Sequence, residues 1–287
     1  MRKEGFDGSR AYSDLAAERG RATEGIRGVE FLREDKGEFV WEKIRITDSE
    51  GERAIGRPIG RYHALHTERL CDMSADAKER LIQELCREIT DFFTYGEISD
   101  RRILVVGLGN PRLTPDSVGP RAVERVNPTM QIRVAEPKYF EGLYCSEIAA
   151  IAPDVSAECG IDSLTLVKCL SREISPSALI CIDSILTSSP ERLGATFQLS
   201  DTGIVPGSGI GRRASAIDRK TLGVPVIAIG VPTVIDAAAL TENTSDAISG
   251  MLVSPREIDA IASTAGSAIG DAINLAFGLH FQVRGIY

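Results

Sequence analysis

Histidine is scarce in this chain, with three residues in 287: His63, His66 and His280. The six cysteines, Cys71, Cys86, Cys145, Cys159, Cys169 and Cys181, form no C-x-x-C pair. Zinc sites and redox dithiols draw on clustered Cys and His, so neither is signalled, and no metal or cofactor is predicted. His63 and His66 stand apart from other ligand types, and the thiols are expected as free groups within apolar patterns. No apolar run approaches the ~20 residues of a membrane span. Met1–Arg10 holds no apolar stretch of the kind a secretory signal needs, so the expectation is a cytoplasmic protein with no membrane partner. A basic excess is also missing: 33 Lys and Arg stand against 41 Asp and Glu, a net charge of −8. That removes the electrostatic footprint of a nucleic-acid binder and suits attraction of a basic protein substrate.

What is present is a strand, a tight loop and a helix start. Ile103–Val106 is a short apolar run consistent with a buried strand, followed by Gly107, Gly109 and Asn110. Thr114-Pro115-Asp116 reads as a helix start, with Thr114 as N-cap, Pro115 as the first helical residue and Asp116 in the first turn. A second apolar strand, Ala178–Ser184, ends on Asp183. In a parallel sheet Asp116 and Asp183 emerge at the same C-terminal edge, where two carboxylates can share a proton and activate a water. Taken singly, each has a plainer role, as a helix-end acid or a turn cap.

Residues 1–25 are polar and charged, and a loosely docked terminus is expected. Residues 26–66 read as short strands, Phe39–Ile46 the clearest, joined by the Gly/Pro-punctuated Ile55–Tyr62. Ser74–Gly96 is predicted as a helix from the spacing of Leu81, Ile82, Leu85, Ile89, Phe92 and Phe93. Gln131–Ala135 is expected as a short strand, 140–160 as loop, and Gly160–Arg172 as helix. Ala195–Leu199 alternates like a strand and runs into the Gly-rich Ser200–Gly211. That loop lacks a P-loop Lys-Ser/Thr and a dinucleotide fingerprint, and reads as a cover over a cleft. Val224–Gly230 is a further buried strand, with Val231–Asp236 following at its C-terminal end. Asp236 either joins the acidic cluster or begins a helix. Ser254-Pro-Arg-Glu257 is a capping box before an Ala/Ile-rich helix through Ile273. The strand–helix alternation from residue 100 onward indicates an α/β core with a mainly parallel sheet, and the N-terminal strands either extend its edge or form a small lobe.

These residues resemble the germination protease family of spore-forming bacteria. The resemblance rests on Val106-Gly-Leu-Gly-Asn110, Thr114-Pro-Asp-Ser-Val-Gly-Pro120, Ile182-Asp-Ser184, Ser200-Asp-Thr-Gly-Ile204, Pro206-Gly-Ser-Gly209 and the long run Thr221–Asp236, with weaker support from Ala54–Gly56 and Gly60–Tyr62. It implies an aspartic-type endopeptidase of the spore core that degrades small acid-soluble spore proteins, assembles as a homotetramer and is made as a self-trimming zymogen. The fold it implies is a mixed central sheet flanked by helices, phosphorylase/hydrolase-like as in hydrogenase-maturation proteases, with additional N-terminal strands. Asp116 and Asp183 match the family's catalytic aspartates. Asp236 is a candidate supporting acid, and Asn110, Ser208 and Gly209 are substrate-loop candidates. The family's target sites have the character of Ser13-Asp-Leu-Ala16, which marks Asp14–Leu15 as the self-processing bond. Residues 1–14 are then a propeptide and 15–287 a single peptidase domain, with 15–70 as its strand-rich extension. The segment between Thr241 and Ser254 is shorter than the family pattern, which bears on surface contacts and leaves the two aspartates untouched. Three other readings compete. Val106-Gly-Leu-Gly-Asn-Pro111 is similar to the opening motif of peptidyl-tRNA hydrolases, but the histidine that chemistry needs is missing between His66 and His280. The remaining alternatives are a metal-dependent maturation-type protease and a non-catalytic module holding an anion or nucleotide.

Overall fold

The apolar runs become the middle of one sheet, to which nine strands contribute among the described residues. The computed structural model describes residues 13–20, 25–95, 102–207, 215–241 and 250–279. The strands are β1 (Val29–Asp35), β2 (Val40–Ile46), β3 (Gly60–His66), β4 (Arg102–Gly107), β5 (Glu147–Ile151), β6 (Ala178–Thr187), β7 (Thr196–Ser200), β8 (Val226–Asp236) and β9 (Leu252–Val253). Their order is β1-β2-β3-β7-β8-β6-β4-β5, with β9 paired to the far end of β8. The N-terminal strands therefore extend the sheet edge. From β1 through β7 to β8 the pairs are antiparallel, and β8, β6, β4 and β5 are parallel.

The parallel half is covered on both faces, which is why its strands read as continuous apolar runs. Side chains alternate across a strand. Ile103 and Val105 accordingly join the cluster under the 75–95 and 258–276 helices, with Leu85, Ile89, Ile269 and Ile273. Leu104 and Val106 join the opposite cluster with Val167 of the Ser163–Ile174 helix. Pro232 lies inside a central strand, a place where its missing N–H is tolerated only at an irregularity. The β6–β8 register shifts between Ile185 and Leu186, opposite Pro232.

Several expectations are corrected. Met130–Ala135 is a helix with Ile132 its one buried residue. The sheet position that strand would have taken is filled by β5, inside the stretch expected as loop. That stretch also holds the end of the Pro137–Leu143 helix and the Ser156–Cys159 helix. Ser49–Ile55 is a helix in a region expected to be strands and turns. Asp48 accepts from Glu50 N–H and Gly51 N–H at its start, and left-handed Gly56 ends it. The Gly160 helix begins at Ser163, where Asp162 caps it. The proposed capping box does not cap: the last long helix starts at Ile258 with no side-chain cap, and Glu257 pairs with Arg69 at 3.0 Å. Strand β6 continues four residues past Asp183, and Val226–Asp236 is one unbroken strand. The N-terminal segment is not loosely docked at 14–17, where Asp14, Leu15, Ala16 and Ala17 are all buried. His63 contacts Glu88, and His66 contacts Glu42, so neither histidine is isolated from carboxylates. All six cysteines are free, but only Cys181 is fully buried, and Cys159 and Cys169 are exposed.

Candidate active site

Strand β4 stops at Gly107, where the chain turns across the middle of its neighbour β6. Leu108 N–H donates to the Ile182 carbonyl at 2.7 Å. The turn then folds onto the start of the Val118–Arg125 helix. A side chain at Gly107 would place its Cβ 2.1 Å from the Gly119 carbonyl oxygen. Gly109 has φ +114°, and a Cβ there would lie 2.1 Å from the Asp116 carbonyl oxygen. Only glycine fits such a left-handed, backbone-crowded position. Thr114–Asp116 forms a 3₁₀ turn rather than the first α turn, and Thr114 does not cap it; its N-cap residue is Leu113. Asn110 N–H donates to Asp116 Oδ2 at 2.9 Å, while the Asn110 side chain accepts from Arg112 N–H. Asn110 thus holds Asp116 through its backbone.

Asp183 sits inside β6, one residue past the point where Leu108 crosses. It is buried, and one carboxylate oxygen accepts from Ser184 N–H at 2.8 Å. Asp116 and Asp183 line one cavity of about 690 Å³, together with Asp14, Arg57, Gln198 and the Thr202–Gly207 loop. Burial pushes the Asp183 carboxyl well above the usual carboxylate range. The negative charges of Asp116 and, more weakly, Asp14 push it the same way, and the Ser184 N–H only partly opposes them. Two hydroxyls on the same wall, Ser184 Oγ and Thr233 Oγ1, are buried with no hydrogen-bond partner among the described residues. Such orphan groups are rare.

The other predicted site residues fall in different places. Asp236 ends β8 and accepts from Ala238 N–H at 2.8 Å, capping the Ala237–Leu240 turn; it is not among the residues lining the cavity. Ser208 and Gly209 lie outside the described residues, although Gly203–Gly207 of the same loop line the cavity. Asp14 and Leu15 lie against β6, where Asp14 N–H donates to the Leu186 carbonyl at 2.9 Å and Leu186 N–H donates to Asp14 Oδ2 at 3.0 Å. The sequence reading passed over Arg57 and Gln198. Arg57 stands between Gly56 and Pro58 in a turn-rich connection that also holds Arg61, and Gln198 is a polar residue of an alternating strand. Among the described residues no group of three or more His, Cys, Asp or Glu is placed to hold a metal ion. No helix there is long and apolar enough to cross a membrane.

Comparison with known proteins places these features in context. Germination proteases of Caldanaerobacter subterraneus subsp. tengcongensis and Clostridium tetani are 36% and 34% identical to the chain over 219 and 224 residues. Those alignments cover 76% and 78% of this chain and 67% and 68% of the relatives. The germination protease of Clostridium perfringens is 30% identical over 312 residues, covering 92% of this chain and 94% of its own. Among solved structures, a [NiFe] hydrogenase maturation protease from Thermococcus kodakarensis matches with a TM-score of 0.36 and 15% identity, over 65% of this chain and 98% of that one. That likeness is too slight to carry an argument. The sequence profile of one peptidase family matches residues 9–252, and on that match and these identities the chain belongs to the germination protease family.

Proposed function

We propose that this chain is a self-processing endopeptidase that acts on small acid-soluble spore proteins in the spore core, through a water activated between Asp116 and Asp183. The observation that carries this reading is the position of the Ser13–Ala16 segment. Within it Asp14 lines the same cavity as the two aspartates.

The two carboxylates stand in unlike surroundings, which is how an acid and a base are told apart at one pH. Asp183, buried and facing other acids, holds the proton. Asp116, half-buried and receiving the Asn110 N–H, is the base. Water attacks the peptide carbonyl carbon as Asp116 takes its proton. Asp183 donates to the carbonyl oxygen, giving a neutral tetrahedral species. Reformation of the C=O bond returns that proton to Asp183, the C–N bond breaks, and Asp116 passes its proton to the departing amine. Each carboxyl ends as it began. The Ser184 and Thr233 hydroxyls offer hydrogen bonds to a bound peptide, which would remove their burial cost.

Cutting at Asp14–Leu15 releases residues 1–14, and the uncut chain is the zymogen. The proposed homotetramer is checked by light scattering; exposed Met251, Leu252 and Val253 offer it an apolar contact. The activity is tested by following the intact mass of the purified chain over time, beside Asp183→Asn. Loss of residues 1–14 from wild type alone is expected. Trimming of both at equal rates would contradict the assignment of Asp183, and a basic spore-protein substrate left intact by the trimmed chain would contradict the substrate class.

A further inference from the structure

The segment around Asp14 is seated against the cleft by its own main chain and side chain. Its main chain is held on two sides. Asp14 N–H reaches the Leu186 carbonyl at 2.9 Å. Across the cleft, Gln198 Nε2 donates to the Asp14 carbonyl at 3.1 Å, and its Oε1 accepts from Ala16 N–H at 2.7 Å. These bonds read no side chain. The Asp14 carboxylate is read separately: Leu186 N–H donates to one oxygen at 3.0 Å, and the Arg57 guanidinium lies 3.7 Å from the other. Arg57 also donates to the Ser13 carbonyl at 2.6 Å, which fixes its head at this spot.

Asp14 is buried beside two further acids, and its charge adds to those that raise Asp183. A third carboxylate is costly there without a counter-charge. Among the residues lining the described cavity, Arg57 is the one Lys or Arg. Glu18, four residues on, is received outside the cavity, by Ser188 N–H and the Thr187 and Ser188 hydroxyls.

We infer that Arg57 and Gln198 are specificity-determining residues: Gln198 holds the main chain of any extended peptide, and Arg57 with the Leu186 amide selects a carboxylate side chain at the position Asp14 occupies. The ligand class is an extended peptide with one acidic residue entering the cleft. This rests on the assignment of the cavity to peptide cleavage.

The test is a double-mutant cycle in the full-length chain, read by hydrogen exchange of residues 13–18 so that no chemistry is needed. Every chain carries Asp116→Asn to stop trimming during the measurement. Asp14→Asn keeps an acceptor for Leu186 N–H and loses the charge; Arg57→Gln loses the counter-charge. Each is expected to speed exchange about tenfold, and the two together no more than about threefold beyond either, because they break one interaction. Gln198→Ala, which removes main-chain bonds only, is expected to multiply with either variant, showing that protection was left to lose. Independent effects of Asp14→Asn and Arg57→Gln, near 100-fold combined, would overturn the proposal, and so would unchanged exchange in both.

With Asp116 restored, Asp14→Asn is expected to slow trimming at least tenfold in the otherwise wild-type chain and to add nothing to Arg57→Gln. Equal slowing in both backgrounds would overturn it. A wild-type chain that never trims contradicts the peptidase reading instead, and the exchange cycle still decides the subsite.

Discussion

Two regions of this sheet bury carboxylates, and they treat them in opposite ways. On the antiparallel side, Glu42 of β2 is fully buried, and burial alone would raise it. Hydrogen bonds from His66 and Arg192, both at 2.9 Å, outweigh that and hold its pKa at about 2. Glu88 is treated likewise, with His63 and Lys43 overcoming its burial and holding it below the usual carboxylate range. In the parallel half Asp183 is just as hidden, but its charged neighbours are Asp116 and Asp14, and it is driven well above that range. An acid supplied with cations keeps its charge, and an acid supplied with other acids is held towards its protonated form.

The comparison is sharpened first by removing each acid. Asp183→Asn should cost about 10²–10⁴-fold in trimming rate, the usual scale for a general acid or base, measured by intact mass. Glu42→Ala should leave the cleft chemistry alone and instead cost about 3 kcal/mol, because Arg192, itself mostly buried, loses the carboxylate it is paired with. Thermal melting should show this as a fall of roughly 6–12 °C. Gly109→Ala comes next. It forces a side chain onto a left-handed backbone position against the Asp116 carbonyl, and about 1–3 kcal/mol of strain should appear in melting together with displaced Asp116 and slowed trimming.

The smallest effects are in pH dependence, and their signs differ. The folded pKa of Asp183 is raised, so its contribution to stability is fully present below the unfolded value near 4 and is lost as pH rises through the folded pKa. Asp183→Asn should therefore melt higher than wild type at neutral pH, by a margin that shrinks as pH falls towards 4. The folded pKa of Glu42 is depressed, so its contribution is present above about pH 4 and is lost as pH falls towards 2. A Glu42→Gln chain should accordingly differ most from wild type near neutral pH and least near pH 2, as read by melting across that range.

Much of the parallel half was legible because buried strands carry unmistakable apolar runs: Ile103–Val106 and Ala178–Asp183 fall in strands, and Val224–Gly230 does so from Val226 onward. The turn at Gly107–Asp116 was legible too, since its glycines, proline and acid each have a local reason to be there. Elements decided by distant partners were harder. Gln131–Ala135 has a strand-like composition, yet β5 holds the edge position beside β4, and the segment coils. The Ser49–Ile55 helix had its signal in Asp48 and Gly56, hidden among neighbours that resembled turns. In the site, the strand pattern brought Asp116 and Asp183 to one edge of the sheet, and reading them as a couple also drew on the resemblance. Arg57 and Gln198 could not be found in this way, because their meaning comes from a contact with Asp14 across 43 and 184 positions of chain, visible only in the fold. The buried seating of Asp14 likewise depends on β6 running on to Thr187, whereas the sequence pattern breaks at Asp183.

The central claim, that burial and neighbouring acids keep Asp183 protonated, is tested most directly by titrating the aspartate side-chain carboxyls with ¹³C NMR. Wild type, Asp183→Asn and Asp116→Asn would be compared. One carboxyl should titrate well above the usual range in wild type, vanish in Asp183→Asn, and move down in Asp116→Asn, where a repelling charge has gone. If every aspartate titrates in the ordinary range, or the high-titrating carboxyl persists without Asp183, the claim is contradicted.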